Sequence, residues 1–225
     1  MSSAPSASRQ VTTFQQGVLR GINVGAAVIG LVLGAPLMIL IAVLVRRDSR
    51  GPVLYVQRRV GRDRRGTGGT WSGPDRRSRD AGGRPFHIYK FRTMREASRS
   101  EEAWAGAHQD RITSIGALLR RHRLDELPQL VNVVKGDMNL VGPRPEQPGI
   151  FRQLRDAVPH YPKRQAVRPG ITGWAQIHHR YDRDLEDVRR KVAYDLEYIR
   201  TRSISRELLI LWKTVPVMLF GRGAR

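Results

Sequence analysis

Two adjacent carboxylates, Asp125 and Glu126, stand just ahead of Pro128 in the run RRHRLDELPQLVNVVKGDMNLVGPRP. Arg120, Arg121, Arg123 and Lys135 lie within reach, and Arg144 is held between Pro143 and Pro145. A helix is expected over residues 124–134, with Pro128 in its first turn. A helix start ringed by guanidiniums is a phosphate site. A carboxylate planted in such a site is not there to bind the anion. It coordinates a divalent cation, attacks phosphorus, or caps the helix, with Asp125 as N-cap and Glu126 as a first-turn acid. Neighbouring helical positions point about 100° apart, so the two acids divide roles rather than share a proton.

The elements that must position these groups are legible as patterns. Residues 52–62 and 84–94 alternate and pair as a β-hairpin. Between them, residues 63–83 are rich in Gly, Arg, Asp and Ser and read as a flexible insertion outside every motif. Residues 95–107 are expected to be a polar helix. Residues 112–123 form a helix with Ile112, Ile115, Leu118 and Leu119 on its apolar face. Further helices are expected over 149–157 and 184–200, where Tyr194, Asp195 and Tyr198 read as packing plus a solvated face. Residues 207–220, interrupted by Pro216, suit an interfacial helix with Trp212 and Lys213 at headgroup level.

Residues 21–45 carry no charge over 25 positions, enough for a helix through a hydrocarbon core of about 30 Å. Pro36 lies near the middle, close after Gly34, and cations flank both ends: Arg20 before, Arg46, Arg47 and Arg50 after. Cations on both sides suit a hairpin that enters and leaves one leaflet, with Pro36 at the bend. A proline-kinked spanning helix is the other arrangement these residues allow. Residues 1–17 then form a disordered leader, 18–50 the membrane hairpin and 51–225 the domain that carries the acid pair. The expected class is α+β and helix-dominated.

The chain has 225 residues, no cysteine and a formal charge of +20, with 35 arginines and only five lysines. Disulfides, thiolate zinc sites and cysteine nucleophiles are excluded. His178 and His179 have no spaced partner and make no zinc site. A mean hydropathy of −0.43 excludes a polytopic membrane protein. The charge calls for anionic partners, including anionic lipid headgroups. Two readings without catalysis, a nucleic-acid binder and a basic membrane scaffold, leave respectively the apolar segment and the acid pair unexplained.

The runs Lys90-Phe91-Arg92-Thr93-Met94, Leu124-Asp125-Glu126-Leu127-Pro128-Gln129, Gly136-Asp137-Met138, Gly142-Pro143-Arg144-Pro145 and Arg168-Pro169-Gly170-Ile171-Thr172-Gly173 resemble, in order, the bacterial sugar transferases. These are monotopic polyprenyl-phosphate phosphoglycosyl transferases. The resemblance implies a re-entrant helix and a cytoplasmic-face domain on the bacterial inner membrane. It also implies transfer of a sugar phosphate from a UDP-sugar to polyprenyl (undecaprenyl) phosphate, releasing UMP. That reaction opens exopolysaccharide, capsule, O-antigen or glycoprotein glycan synthesis. By the same resemblance Asp125 is the nucleophile, with Mg²⁺ beside it, and Glu126 its acidic partner. Arg120 looks like a phosphate ligand; Lys90, Arg144 and Arg168 match substrate-binding positions and Asp137 a supporting one. Nucleic acid is not an expected partner, and a homo-oligomer stays open. Two departures stand out: Ala35 replaces the serine that usually precedes the kink proline, and the 63–83 insertion lengthens a turn of a few residues. No motif names the sugar.

Overall fold

Along the first helix Leu19, Asn23, Ala27, Ile41 and Val45 are buried, while Val32, Leu33 and Ile39 on the other side are each about two-thirds or more exposed. This spacing of three and four lays one stripe of a long helix against the rest of the protein. The computed structural model describes residues 13–63, 82–95, 111–179 and 184–220. Helix α1 (Thr13–Asp48) is followed by β1 (Leu54–Val60), β2 (Pro85–Phe91), α2 (Ser114–Arg121) and α3 (Gln129–Lys135). Then come β3 (Asn139–Val141), α4 (Pro148–Ala157), β4 (Gly170–Thr172), α5 (Trp174–His178), α6 (Leu185–Thr201) and α7 (Ile204–Phe220). Helices dominate, as expected.

Strands β1 and β2 pair antiparallel from Leu54 opposite Phe91 to Val60 opposite Pro85, which is the expected hairpin. Asn132 on α3 seals part of β2: its Nδ2 donates to His87 O (2.7 Å) and its Oδ1 accepts from Tyr89 N (3.1 Å). Among the described residues, four apolar clusters join the elements. Val60 meets α4, Tyr161 and α6. Ala27 meets Phe86, Ile88 and Val133. Ile41 and Val45 meet Phe91 and Leu119. Val141 meets Tyr198 and Ile210.

Several expectations need correction. Helix α1 begins at Thr13, inside the expected leader, because extending an anchored helix costs far less than nucleating one. It also runs unbroken through Pro36, where a helix-break-helix was expected. A proline deletes one donor and bends the helix, and the turns on either side keep their own bonds. Pro216 likewise lies inside a continuous α7. The helix expected over 124–134 is instead a 3₁₀ turn (Leu124–Glu126) followed by α3, with Pro128 as the α3 N-cap and Arg123 left-handed at φ 55°. Leu118 is 52% exposed rather than on the core face of α2, whose core contacts are Ile115 and Leu119. A short parallel pair, β3 with β4, was not expected. The polar helix expected over 95–107 and most of the 63–83 insertion lie outside the described residues.

The stems of that insertion are tightly packed. Gly61 N donates to Arg84 O (3.0 Å) and Arg84 N to Arg62 O (3.1 Å). A Cβ built on Gly83 would lie 2.2 Å from Gly61 O, a backbone atom that cannot swing aside. Gly83→Ala is therefore expected to destabilise by about 1–3 kcal/mol. A thermal melt against wild type checks this.

Candidate active site

The Leu-Asp-Glu-Leu run explains its own geometry. Leu124 and Leu127 both pack against the Ile41, Val45 and Phe91 cluster, which fixes the 3₁₀ turn between them. The turn closes through Glu126 N to Arg123 O (3.2 Å) and Leu127 N to Leu124 O (3.3 Å). The two acids are carried on this turn and are buried, Asp125 at 9% and Glu126 at 5% exposure. Asp125 is not a helix cap.

Two cations from separate elements converge on Glu126. Lys90 Nζ from β2 donates to its Oε1 at 2.7 Å. Arg144 from the loop after β3 donates through Nη2 to the same oxygen at 2.7 Å and through Nη1 to Oε2 at 3.5 Å. Asp125 is served less well: Lys90 Nζ stands 4.0 Å from its Oδ2. Arg120 attracts the Asp125 charge from α2 without bonding it. Burial raises the Asp125 carboxyl above its usual value, Lys90 opposes this, and the neighbouring Glu126 charge adds to it. For Glu126, burial also pushes upward, but Arg144 and Lys90 reverse the sign and hold it far below the carboxylate range. The two acids thus differ: Glu126 is a fixed, neutralised anion, and Asp125 is a carboxylate whose charge remains undercompensated.

Arg144 owes its aim to its backbone. Pro143 and Pro145 restrict the chain on either side of it. The four carbonyls from Pro143 to Glu146 accept, in order, from Gly170 N (3.0 Å), Arg164 Nη2 (3.2 Å), Arg59 Nη1 (3.2 Å) and Val60 N (2.9 Å). Arg164 is 1% exposed and anchored by Asp195 Oδ2 at 2.7 Å. Asp195 is therefore a buried ion-pair partner and not part of a solvated face. Glu146 completes the network through Lys191 Nζ at 2.8 Å and Arg164 Nη1 at 3.8 Å. Arg59, Glu146, Arg164 and Lys191 escaped the sequence analysis, and the role of Asp195 did too. The sign that could have found Asp195 is its spacing of seven and three from Val188 and Val192, on the buried stripe of α6.

The residues expected to form one site fall into two places. Lys90, Asp125, Glu126 and Arg144 come together, with Arg120 near. Asp137 and Arg168 lie apart, lining a cavity of about 280 Å³ beyond the far end of α3. Pro36 belongs to neither and sits within α1.

A family model described as bacterial sugar transferase matches residues 14–221. The chain belongs to the bacterial sugar transferase family. It is 43% identical over 211 residues to a UDP-N-acetylgalactosamine-undecaprenyl-phosphate N-acetylgalactosaminephosphotransferase of Aeromonas hydrophila, covering 92% of this chain and 45% of that protein. A UDP-glucose:undecaprenyl-phosphate glucose-1-phosphate transferase of Caulobacter vibrioides is 37% identical over 203 residues, covering 89% of this chain and 69% of that protein. The exopolysaccharide production protein ExoY of Rhizobium meliloti is 33% identical over 221 residues, covering 91% and 87%. The chain therefore spans less than half the length of the Aeromonas relative. The names of these family members cover more than one sugar.

The Glu146 network also carries a pH signature. Burial alone would raise the Glu146 carboxyl, but Lys191 and Arg164 bring it down to about 2 from an ordinary 4.5. A depressed folded-state value means that its contribution to stability is complete above about 4.5 and is lost as pH falls toward 2. Glu146→Gln is expected to lose on the order of 3 kcal/mol at neutral pH. It should also flatten the acid limb of stability in that window, read from melts at stepped pH.

Proposed function

We propose that the chain transfers a sugar 1-phosphate from a UDP-sugar to undecaprenyl phosphate, giving UMP and a polyprenyl diphosphate sugar. The observation that supports it most is the unequal pairing of the two acids. Glu126 is already neutralised by Lys90 and Arg144, so the charge free to act is that of Asp125. A carboxylate oxygen of Asp125 attacks the β-phosphorus and the bond to the UMP oxygen breaks. The product is an acyl phosphate carrying the sugar. An oxygen of the acceptor's phosphate then attacks the same phosphorus, and the Asp125 carboxylate leaves. Lys90, Arg144 and Arg120 offset the negative charge gathered around phosphorus, the dominant demand of phosphoryl transfer. A covalent intermediate lets two dissimilar substrates use one site in turn.

Mg²⁺ fits this donor set. Among the described residues no three His, Cys, Asp or Glu gather into a metal cage. Mg²⁺ commonly takes only one or two carboxylates together with substrate phosphates. Asp125, the acid without a short ion pair, would hold it, and the bound ion would offset the charge of the diphosphate. Asp125→Asn is expected to reduce UMP release by about three orders of magnitude or more. Mass spectrometry of the wild type with donor alone should find the phosphosugar on Asp125, and EDTA should stop turnover with rescue by Mg²⁺. An adduct on another residue, or full activity without metal, overturns these roles.

The same reading places the protein on the cytoplasmic face of the bacterial inner membrane, with α1 re-entrant. Helix α1 is long and apolar enough to cross a membrane. Its 36 residues measure about 54 Å. Yet both ends dock on the same body. Near the start, Arg20 donates to Met138 O (3.1 Å) and Val133 O (2.5 Å). Near the end, Arg92 Nη2 donates to Ser49 O (2.6 Å), and Asp48 Oδ2 accepts from Ile115 N (3.3 Å). A helix crossing a bilayer would carry one of these ends away from the domain that holds both. Exposed Leu208, Leu209 and Trp212 on α7 supply a second apolar surface suited to the interface. Since the chain lacks cysteine, Gly17→Cys gives a single label site, and its Cβ would meet nothing within 4 Å. An impermeant maleimide is expected to spare it in intact spheroplasts and label it after permeabilisation. Labelling of intact cells would mean that the segment spans.

A further inference from the structure

The cavity that receives Asp137 and Arg168 also receives Arg62, Arg84 and the Phe86 ring, over a floor of Gly61 and Gly136. Its chemistry is unlike that of the acid pair. Three guanidiniums supply donors, one carboxylate supplies an acceptor, and the buried Phe86 ring closes the apolar side. Two of the guanidiniums are fixed in place: Arg62 Nε donates to Ala166 O (3.2 Å) and Arg168 Nε to Gly136 O (3.0 Å). Gly61 lets the ring lie close, since a Cβ there would meet Phe86 Cδ1 at 3.2 Å.

Two elements run from the acid pair to this cavity. Phe86 precedes Lys90 by four residues on β2, about 13 Å of strand. Glu126 stands before α3 and Gly136 just after it, and the seven residues of α3 measure about 10 Å. A donor with its β-phosphorus at Asp125 extends in two directions from that atom, one toward a neutral sugar and one toward a nucleoside. The geometry points to the cavity as the uridine subsite. Uracil offers two carbonyl acceptors, which guanidiniums answer, whereas cytosine puts an amino donor in the place of one of them, which a guanidinium cannot answer. The ribose diol donates to a carboxylate such as Asp137. A cavity of about 280 Å³ lies near the lower end of small-molecule sites and takes a nucleoside rather than a whole donor. The subsite would thus select the base at a distance from the reacting phosphorus, and it rests on the donor chemistry proposed above.

The test is binding of UMP, CMP and inorganic phosphate to the full chain in lipid nanodiscs, by calorimetry, for wild type, Arg84→Ala and Asp137→Asn. Arg84 is exposed, so its replacement leaves the core intact, and a melt confirms folding of each variant. Wild type is expected to bind UMP at least tenfold more tightly than CMP. Each variant should bind UMP at least tenfold more weakly, and Arg84→Ala should narrow the gap to CMP. UMP binding unchanged in both folded variants overturns the proposal while the transferase reading stands. Equal loss of phosphate and UMP, without discrimination against CMP, overturns it in favour of a plain anion site. Wild type that neither binds UMP nor releases it from a UDP-sugar overturns the transferase reading, and the subsite falls with it.

Discussion

A single carboxylate with two cations on it organises the part of this protein that holds the acid pair. Glu126 lies almost wholly out of water and would be intolerable there alone; Lys90 and Arg144 at 2.7 Å make it tenable. Those partners arrive from β2 and from the loop after β3, while Glu126 rides on a 3₁₀ turn. Satisfying one buried charge therefore brings three separate stretches of chain into register. Asp125 inherits its placement from that register without taking part in it, which leaves its own carboxylate available for chemistry.

A second layer stands behind the first. The loop carrying Arg144 has four successive carbonyls tied down, two by backbone amides and two by Arg59 and Arg164. Arg164 in turn needs Asp195 from α6, 31 residues further on. Buried arginines are costly to desolvate, and here the guanidinium fork does what an amide from a neighbouring strand would do elsewhere. The strands around this loop are only three residues long, too short to hold it by a ladder.

Much of this was legible in advance because it is local. The alternating runs around Tyr55 and Ile88 announce a hairpin, and the apolar spacing of Phe151 with Leu154 and of Val188 with Val192 announces α4 and α6. The acid pair was legible because two carboxylates among arginines have few explanations. What was not legible depends on distant partners. The pairing of β3 with β4 joins segments of only three residues, set among Gly and Pro, that meet only in the folded chain. Arg123 takes a left-handed conformation that no local signal at an arginine predicts, and it sets the 3₁₀ turn of the acid pair off from α2. The separation of Arg168 and Asp137 from the acid pair depends on where α3 ends, a question of packing rather than motif.

Asn23, buried on α1, accepts from Leu140 N (2.6 Å) and donates to Glu207 Oε2 (3.2 Å), partners 117 and 184 residues away. Glu207 is itself held by Tyr198 and Arg202. Since α1 is synthesised before α7, the Asn23 amide has its local bond to Leu19 O (2.7 Å) long before Glu207 reaches it. Early insertion can deliver that helix to lipid, but its final seating is a late event. The contacts that close it have very high sequence separation, which favours slow, end-to-end folding. Loss of α7 would leave its mark on α1, where Asn23 would keep Leu140 and lose Glu207.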